Sequence, residues 1–201
     1  MLKYLFEKVY IVVYITPTFM ELQTKRLLLR DFVSEDASAV YEHINNLNVS
    51  KYLSKVKFPY TLEDAEEFIE KKLVAIDAAE NGKEPRTDYS LAIIKQSDQG
   101  LMGCIGLHNV NDFVGTATLG YWLGEPFWGN GYATEAAARV RDFAFEDLNL
   151  QRINVDALID NPGSNRVIRK IGGKFECKRQ RAVRPLSTGE LCDINQYGIL
   201  R

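Results

Sequence analysis

Between Gly120 and Thr134 the chain reads Gly-Tyr-Trp-Leu-Gly-Glu-Pro-Phe-Trp-Gly-Asn-Gly-Tyr-Ala-Thr: an apolar strand breaks into a glycine loop that opens directly into a helical pattern. A helix N-terminus carries unpaired backbone N–H groups and partial positive charge, so it suits a phosphate. Gly129 and Gly131 lack a Cβ, which lets the N–H groups of residues 129 to 134 turn toward one oxyanion and lets a pyrophosphate approach the main chain. A plain strand-to-helix turn needs the same flexible residues. Two common nucleotide loops do not fit: a dinucleotide loop wants a third glycine where Thr134 stands, and a P-loop wants Gly-Lys-Ser/Thr, which is absent.

The 201 residues suffice for one domain with a full core. With 46% hydrophobic residues, 26% charged and a net charge of −2, no electrostatic case exists for a nucleic-acid partner. The basic residues Lys170, Lys174, Lys178, Arg179, Arg181 and Arg184 are interleaved with apolar ones and read as a solvated strand face. Cys104, Cys177 and Cys192 lie far apart without a Cys-x-x-Cys, which argues against a disulfide framework and a metal site and fits a reducing cytoplasm. Leu2 to Phe19 is apolar, yet Lys3, Glu7 and Lys8 interrupt it; it is too short and too charged to span a bilayer and lacks a signal-peptide cleavage site. We therefore expect no membrane partner. Residues 1–19 read as an extension ahead of a single domain over 20–201, with Met20 an alternative start. Residues 4 to 15 supply a β-branched strand for a sheet edge or for a second copy in a homodimer.

Periodicity orders the rest. A strand is predicted over 24–32, then a helix near 35–46 capped by Ser34. Thr61-Leu-Glu-Asp64 resembles a capping box ahead of Ala65, Phe68, Ile69, Leu73 and Ile76 on one helical face. Strands at 89–95 and 101–110 join through Ser97-Asp-Gln-Gly100, and 117–123 extends the meander. A helix over 131–147 carries small residues that let it lie close on the sheet. A strand at 152–158, a short helix ended by Gly172-Gly173 and strands near 174–184 and 191–200 follow. This order predicts an α+β domain with a mixed, mostly antiparallel sheet.

Three stretches, in this order and spacing, are similar to the GNAT acetyltransferases and to their branch of ribosomal-protein alanine N-acetyltransferases. They are Thr24-Lys-Arg-Leu-Leu-Leu-Arg30; Gly120-Tyr-Trp-Leu with Trp128-Gly-Asn-Gly-Tyr-Ala-Thr-Glu135; and Asp160-Asn-Pro-Gly-Ser-Asn-Arg-Val167 before Ile171-Gly-Gly173. The match runs from about Leu22 to Arg201. It implies a GNAT-like fold with helices on both faces of a twisted sheet, acetyl-CoA as donor, and direct transfer to an amine in a ternary complex. The cofactor residues it implies are Trp122, Leu123 and Gly124 on the strand, Trp128, Gly129, Asn130, Gly131, Tyr132, Ala133 and Thr134 in the loop, and Asn161 and Ser164. Trp128 departs from the usual Gln or Arg, which removes a polar side chain but leaves the backbone N–H groups; its ring is expected to pack under the loop.

Only a neutral amine attacks a thioester. At pH 7 an α-amine costs about 1 kcal/mol to deprotonate and a lysine roughly 4.6, so an N-terminal α-amine of a protein or peptide demands less of a base. Ser164 stands where the branch places a serine near the sulfur, and Asn161 where an asparagine contacts the pantetheine; Ser164 is also a good N-cap for a helix over 165–171 and Asn161-Pro162 a common turn. Where relatives carry a base, this chain has Asn111, which cannot be one. Asp112 and His108 are the candidates, a strand-end histidine being also a common structural residue, with Glu125 a third. His43 reads as solvated. Acceptor choice is expected from residues 45–60, with Tyr52, Phe58, Pro59 and Tyr60, and from the hairpin at 184–192. An acidic cluster at Glu63, Asp64, Glu66 and Glu67 would suit a polyamine or aminoglycoside, and would equally suit a bare helix N-terminus. The remaining alternative is a non-catalytic acyl-CoA-binding module.

Overall fold

The computed structural model describes residues 19–201; the strand expected at 4–15 lies outside the described residues. The first strand is split. β1 (Glu21–Gln23) and β2 (Leu27–Arg30) pair antiparallel, because the Thr24 hydroxyl accepts from the N–H groups of Arg26 at 3.3 Å and Leu27 at 2.9 Å and closes a turn between them. Ser34 does not cap α1 (Ala37–Ile44). A 3-10 turn over Ser34–Asp36 comes first, and the Asp36 carboxylate, paired with Arg30, accepts the Val33 N–H at 2.9 Å. A short α2 (Leu47–Ser50) precedes α3 (Leu62–Glu80), where the capping box forms as read: Asp64 N–H donates to the Thr61 hydroxyl at 3.2 Å and Thr61 N–H to the Asp64 carboxylate at 2.9 Å.

The remaining elements are β3 (Tyr89–Lys95), β4 (Leu101–Asn111), β5 (Thr116–Leu123), α4 (Tyr132–Glu146), β6 (Arg152–Leu158), α5 (Pro162–Lys170), β7 (Lys174–Val183) and β8 (Cys192–Leu200). They complete one eight-stranded sheet in the order β1-β2-β3-β4-β5-β6-β8-β7. Every neighbouring pair is antiparallel except β5 and β6, so the sheet is mixed and mostly antiparallel, as expected.

Two cores clamp this sheet. On one face Ala136, Ala137, Val140 and Ala144 of α4 and Ile168 of α5 pack on Ile105, Leu107, Leu119 and Val155; on the other, Val40 and Ile44 of α1 and Ala65 and Ile69 of α3 pack on Ala92, Ile94 and Cys104. Each fully buried Leu or Ile stabilises by about 1.5–3 kcal/mol, and alanines bring α4 close to the strands. β7 is exposed along most of its length, with Lys178 paired to Asp193 and Glu176 to Arg152, so its basic run is a solvated strand face. Among the described residues no helix is long and apolar enough to cross a membrane.

One irregularity positions everything below. The parallel contact of β5 and β6 spans only Thr116–Thr118 against Arg152–Asn154. Beyond it β5 runs on to Leu123 and β6 to Leu158 without pairing to each other, which leaves an opening between two adjacent strands.

Candidate active site

The floor of the opening is main chain. Gly124 N–H donates to the Met102 carbonyl at 2.8 Å, and strand alternation then turns the main-chain groups of Leu123 and Tyr121 away from β4 and into the gap. The loop follows at once. Gly129 and Gly131 have φ of 78° and 80°, a left-handed conformation that side chains resist. Gly131 is the N-cap of α4 and offers no side-chain acceptor, so the first N–H groups of the helix, from Tyr132 through Thr134, stay available to an anion. Asn130 shapes the loop by donating to the carbonyls of Phe127 at 3.3 Å and Trp128 at 3.0 Å. Trp128 is 42% exposed, and its indole N–H donates to the Leu123 carbonyl at 2.8 Å. The departure at position 128 thus exchanges a ligand-facing polar group for a brace between loop and strand.

A second brace joins residues that stand in two of the resembling motifs, which the sequence alone does not link. Glu135, one turn into α4, accepts from the Thr24 hydroxyl at 2.7 Å, from Arg26 N–H at 2.9 Å and from Arg26 Nε at 2.7 Å. The Arg26 guanidinium also donates to the Asn130 carbonyl at 3.1 Å and lies 4.4 Å from the Tyr132 ring centre. Burial pushes the Glu135 carboxyl up, but Thr24 and Arg26 outweigh it and hold it below its ordinary value. The loop is fastened to the β1–β2 turn from outside the opening.

Across the gap stands α5. Asn161 is its N-cap, accepting the Ser164 N–H at 2.9 Å, so the cap lies three residues earlier than read and Ser164 sits in the first turn. Its hydroxyl is thereby released: Ser164 Oγ lies 3.0 Å from the Tyr121 hydroxyl, whose single proton can go to it or to the Ser164 carbonyl at 3.3 Å. Burial pushes the Tyr121 phenol up to about 12, with the Ser164 bond pulling the other way; it remains neutral at physiological pH and able to donate.

On the opposite face His108 Nδ1 lies 2.9 Å from Asp88 Oδ2. Asp88 also accepts from Lys72 Nζ at 2.9 Å, Ser90 N–H at 3.0 Å and the Ser90 hydroxyl at 2.5 Å. Burial raises the Asp88 carboxyl, yet the bonds from His108, Ser90 and Lys72 hold it well below the usual carboxylate range. An imidazole whose Nδ1–H is held by a carboxylate presents Nε2 as an acceptor, and Nε2 lies 3.3 Å from where a Cβ on Gly120 would stand.

Other candidates fall away. Asp112 lies in the turn beyond β4, about 16 Å of strand from Tyr121 at roughly 3.3 Å per residue, and Asn111 holds that turn by accepting the Val114 N–H. Glu125 is tied by Asn46 at 2.7 Å and Asn48 at 3.1 Å, which lower its pKa. His43 is not solvated: its Nε2 meets the Leu101 carbonyl at 3.1 Å and its ring stacks edge-on with Phe127 at 5.1 Å. Burial pushes the Cys104 thiol up to about 12, which disarms it as a nucleophile.

The two segments expected to select the acceptor do touch. Leu186 N–H donates to the Ser54 carbonyl at 3.3 Å and the Ser187 hydroxyl to the Ser50 carbonyl at 3.0 Å. Tyr52 is half-buried and Phe58 and Pro59 are exposed there. Tyr60 is a core residue, its hydroxyl donating to the Asp64 carbonyl.

Glycines with exposed N–H groups at a helix start, beside a slot between strands, fit the phosphates and arm of a coenzyme A thioester. Residues 26–174 match the family model described as an acetyltransferase (GNAT) domain. The uncharacterized N-acetyltransferase YnaD of Bacillus subtilis is 32% identical over 159 residues, 78% of this chain and 84% of that protein. The ribosomal-protein-S5-alanine acetyltransferase of Vibrio fischeri superposes with a TM-score of 0.75 over 90% of this chain and 96% of that one, at 16% identity. The spermidine N-acetyltransferase of Vibrio cholerae, in complex with CoA and spermine, does so with 0.72 over 88% and 96%, at 20% identity. At such identities these two establish the fold alone. The chain belongs to the GNAT acetyltransferase family and is an N-acetyltransferase that uses acetyl-CoA as donor.

Proposed function

We propose that this enzyme acetylates the N-terminal α-amine of a protein or peptide by direct attack in a ternary complex. One observation carries the reading: the opening is flanked by Ser164, freed from capping and joined to Tyr121, and by His108, oriented by Asp88. His108 Nε2 takes the proton that the amine nitrogen loses as its C–N bond forms. The N–H groups of Tyr121 and Leu123 face the carbonyl oxygen, where preorganised donors count most. Ser164 gives a proton to the sulfur as the C–S bond breaks and takes one from the Tyr121 hydroxyl 3.0 Å away, which solvent reprotonates once the products leave. The loop N–H groups of residues 129–134 hold the phosphates, and Asn161 and Ser164 border the arm.

The acceptor wall supports a peptide over a polycation. Asp64 is paired with Lys57 at 2.9 Å and Glu67 with Lys71 at 2.6 Å, so the acidic cluster is partly neutralised, whereas Leu47, Phe58 and Leu186 expose apolar surface. The test is thiol release from acetyl-CoA with peptides bearing free N-terminal Ser or Ala, free amino acids and spermidine. Peptide-dependent turnover is expected, falling about 10²-fold in kcat for Ser164→Ala and for His108→Gln, with the acetyl-CoA KM unchanged in the histidine variant. Turnover with spermidine alone would replace the acceptor, and acetyl-CoA binding without turnover would mark a non-catalytic module.

A further inference from the structure

The register of the short parallel contact extends into the opening. Thr116, Ala117 and Thr118 stand beside Arg152, Ile153 and Asn154; counting on along both strands brings Gly120 level with Asp156. Ala117, Leu119, Ile153 and Val155 are buried on the α4–α5 side, so alternation puts Thr118, Gly120, Asn154 and Asp156 on the other face. His108 lies over Gly120 on that face. Three strands therefore contribute to one level: an imidazole from β4, a glycine without a side chain from β5 and a carboxylate from β6.

Asp156 differs from the other carboxylates around the site. Asp88, Glu125 and Asp193 are each engaged by hydrogen-bond donors. Asp156 is exposed and accepts no hydrogen bond among the described residues; burial of its surroundings raises its carboxyl and the charge of Arg179 on β7 draws it down. Its neighbour across β8 is Gln196, which is neutral. A carboxylate without a donor, on the same sheet face and at the same counted level as a bare glycine that an imidazole overlies, suits a cation arriving with the ligand.

We propose that Asp156 receives the ammonium form of the acceptor amine and sets it over Gly120, opposite His108; the ammonium loses its extra proton to solvent before the neutral amine attacks, and His108 takes the second proton as the C–N bond forms. This rests on the acetyl-transfer reading and adds an acceptor-binding residue to it. Asp156→Asn is the test, in steady-state assays at pH 7 with two acceptors: a peptide whose α-amine is largely cationic and an aromatic amine that is neutral. Because Asp156 is exposed, the melting temperature should not move. The KM for the peptide is expected to rise about tenfold to a hundredfold, with the KM values for the aromatic amine and for acetyl-CoA unchanged and Asp156→Glu restoring part of the loss. An unchanged peptide KM, or equal changes for both amines, overturns the assignment while acetyl transfer stands. No turnover by the unaltered enzyme with any amine overturns both.

Discussion

At the level of single residues, chemistry here depends on which donors a side chain has left. Trp128 looked like a loss from the cofactor loop; its indole instead holds the Leu123 carbonyl. Trp128→Phe keeps an aromatic ring at the position and removes that bond, so the acetyl-CoA KM is expected to rise about three- to tenfold, in line with a bond of roughly 1 kcal/mol, while the fold survives; unchanged kinetics would show that the brace is idle. Asp88 was invisible in the sequence because its partners come from α3, β3 and β4, up to twenty residues away. Its pKa is lowered from the ordinary 3.8, so the stability it adds is fully present above 3.8 and is lost as pH falls toward its folded value. Asp88→Asn should cost about 1.5–3 kcal/mol in urea unfolding at pH 7, with the gap to the unaltered enzyme shrinking below pH 3.8, and should lower kcat through a misoriented His108. A gap that persists undiminished at low pH would assign the effect to packing.

At the level of elements, the sequence was most legible where a local rule acts alone. The α3 capping box needs only Thr61 and Asp64, and it formed as read. Where two local rules compete, the start of a helix shifts by a few residues: a 3-10 turn over Ser34–Asp36, closed by the Asp36 carboxylate that Arg30 holds, precedes α1, and Asn161 rather than Ser164 caps α5. The β1–β2 turn was read as continuous strand because alternation persists through it, while the Thr24 hydroxyl that bends the chain is itself held by Glu135 of α4. Glu135→Gln tests that link between elements. It should weaken acetyl-CoA binding by loosening the loop, and should lower stability by about 1–2 kcal/mol, since charged bonds to Thr24 and Arg26 become neutral or lost. Intact acetyl-CoA affinity in a destabilised variant would confine the brace to folding.

For the molecule as a whole, the decisive feature is that two neighbouring strands pair for three residues and then part. The residues of the site lie between Thr24 and Ser187, and Met20 already bonds to Asp31 through both its N–H and its carbonyl. A chain beginning at Met20 should therefore turn over acetyl-CoA as fast as the full chain, and sedimentation of both would show whether residues 1–19 set the assembly. Slower turnover by the shorter chain would give those residues a part in the site. By itself the sequence determined most of the elements, the α+β class, the glycine loop and the family, because periodicity, caps and turns are local consequences of side-chain shape and hydrogen bonding. Only the tertiary structure decided that Tyr121 meets Ser164, that Asp88 orients His108, and that β5 and β6 pair for three residues and then part. Such meetings depend on strand order and register, which arise from the burial of both sheet faces at once and which no stretch of the chain encodes alone.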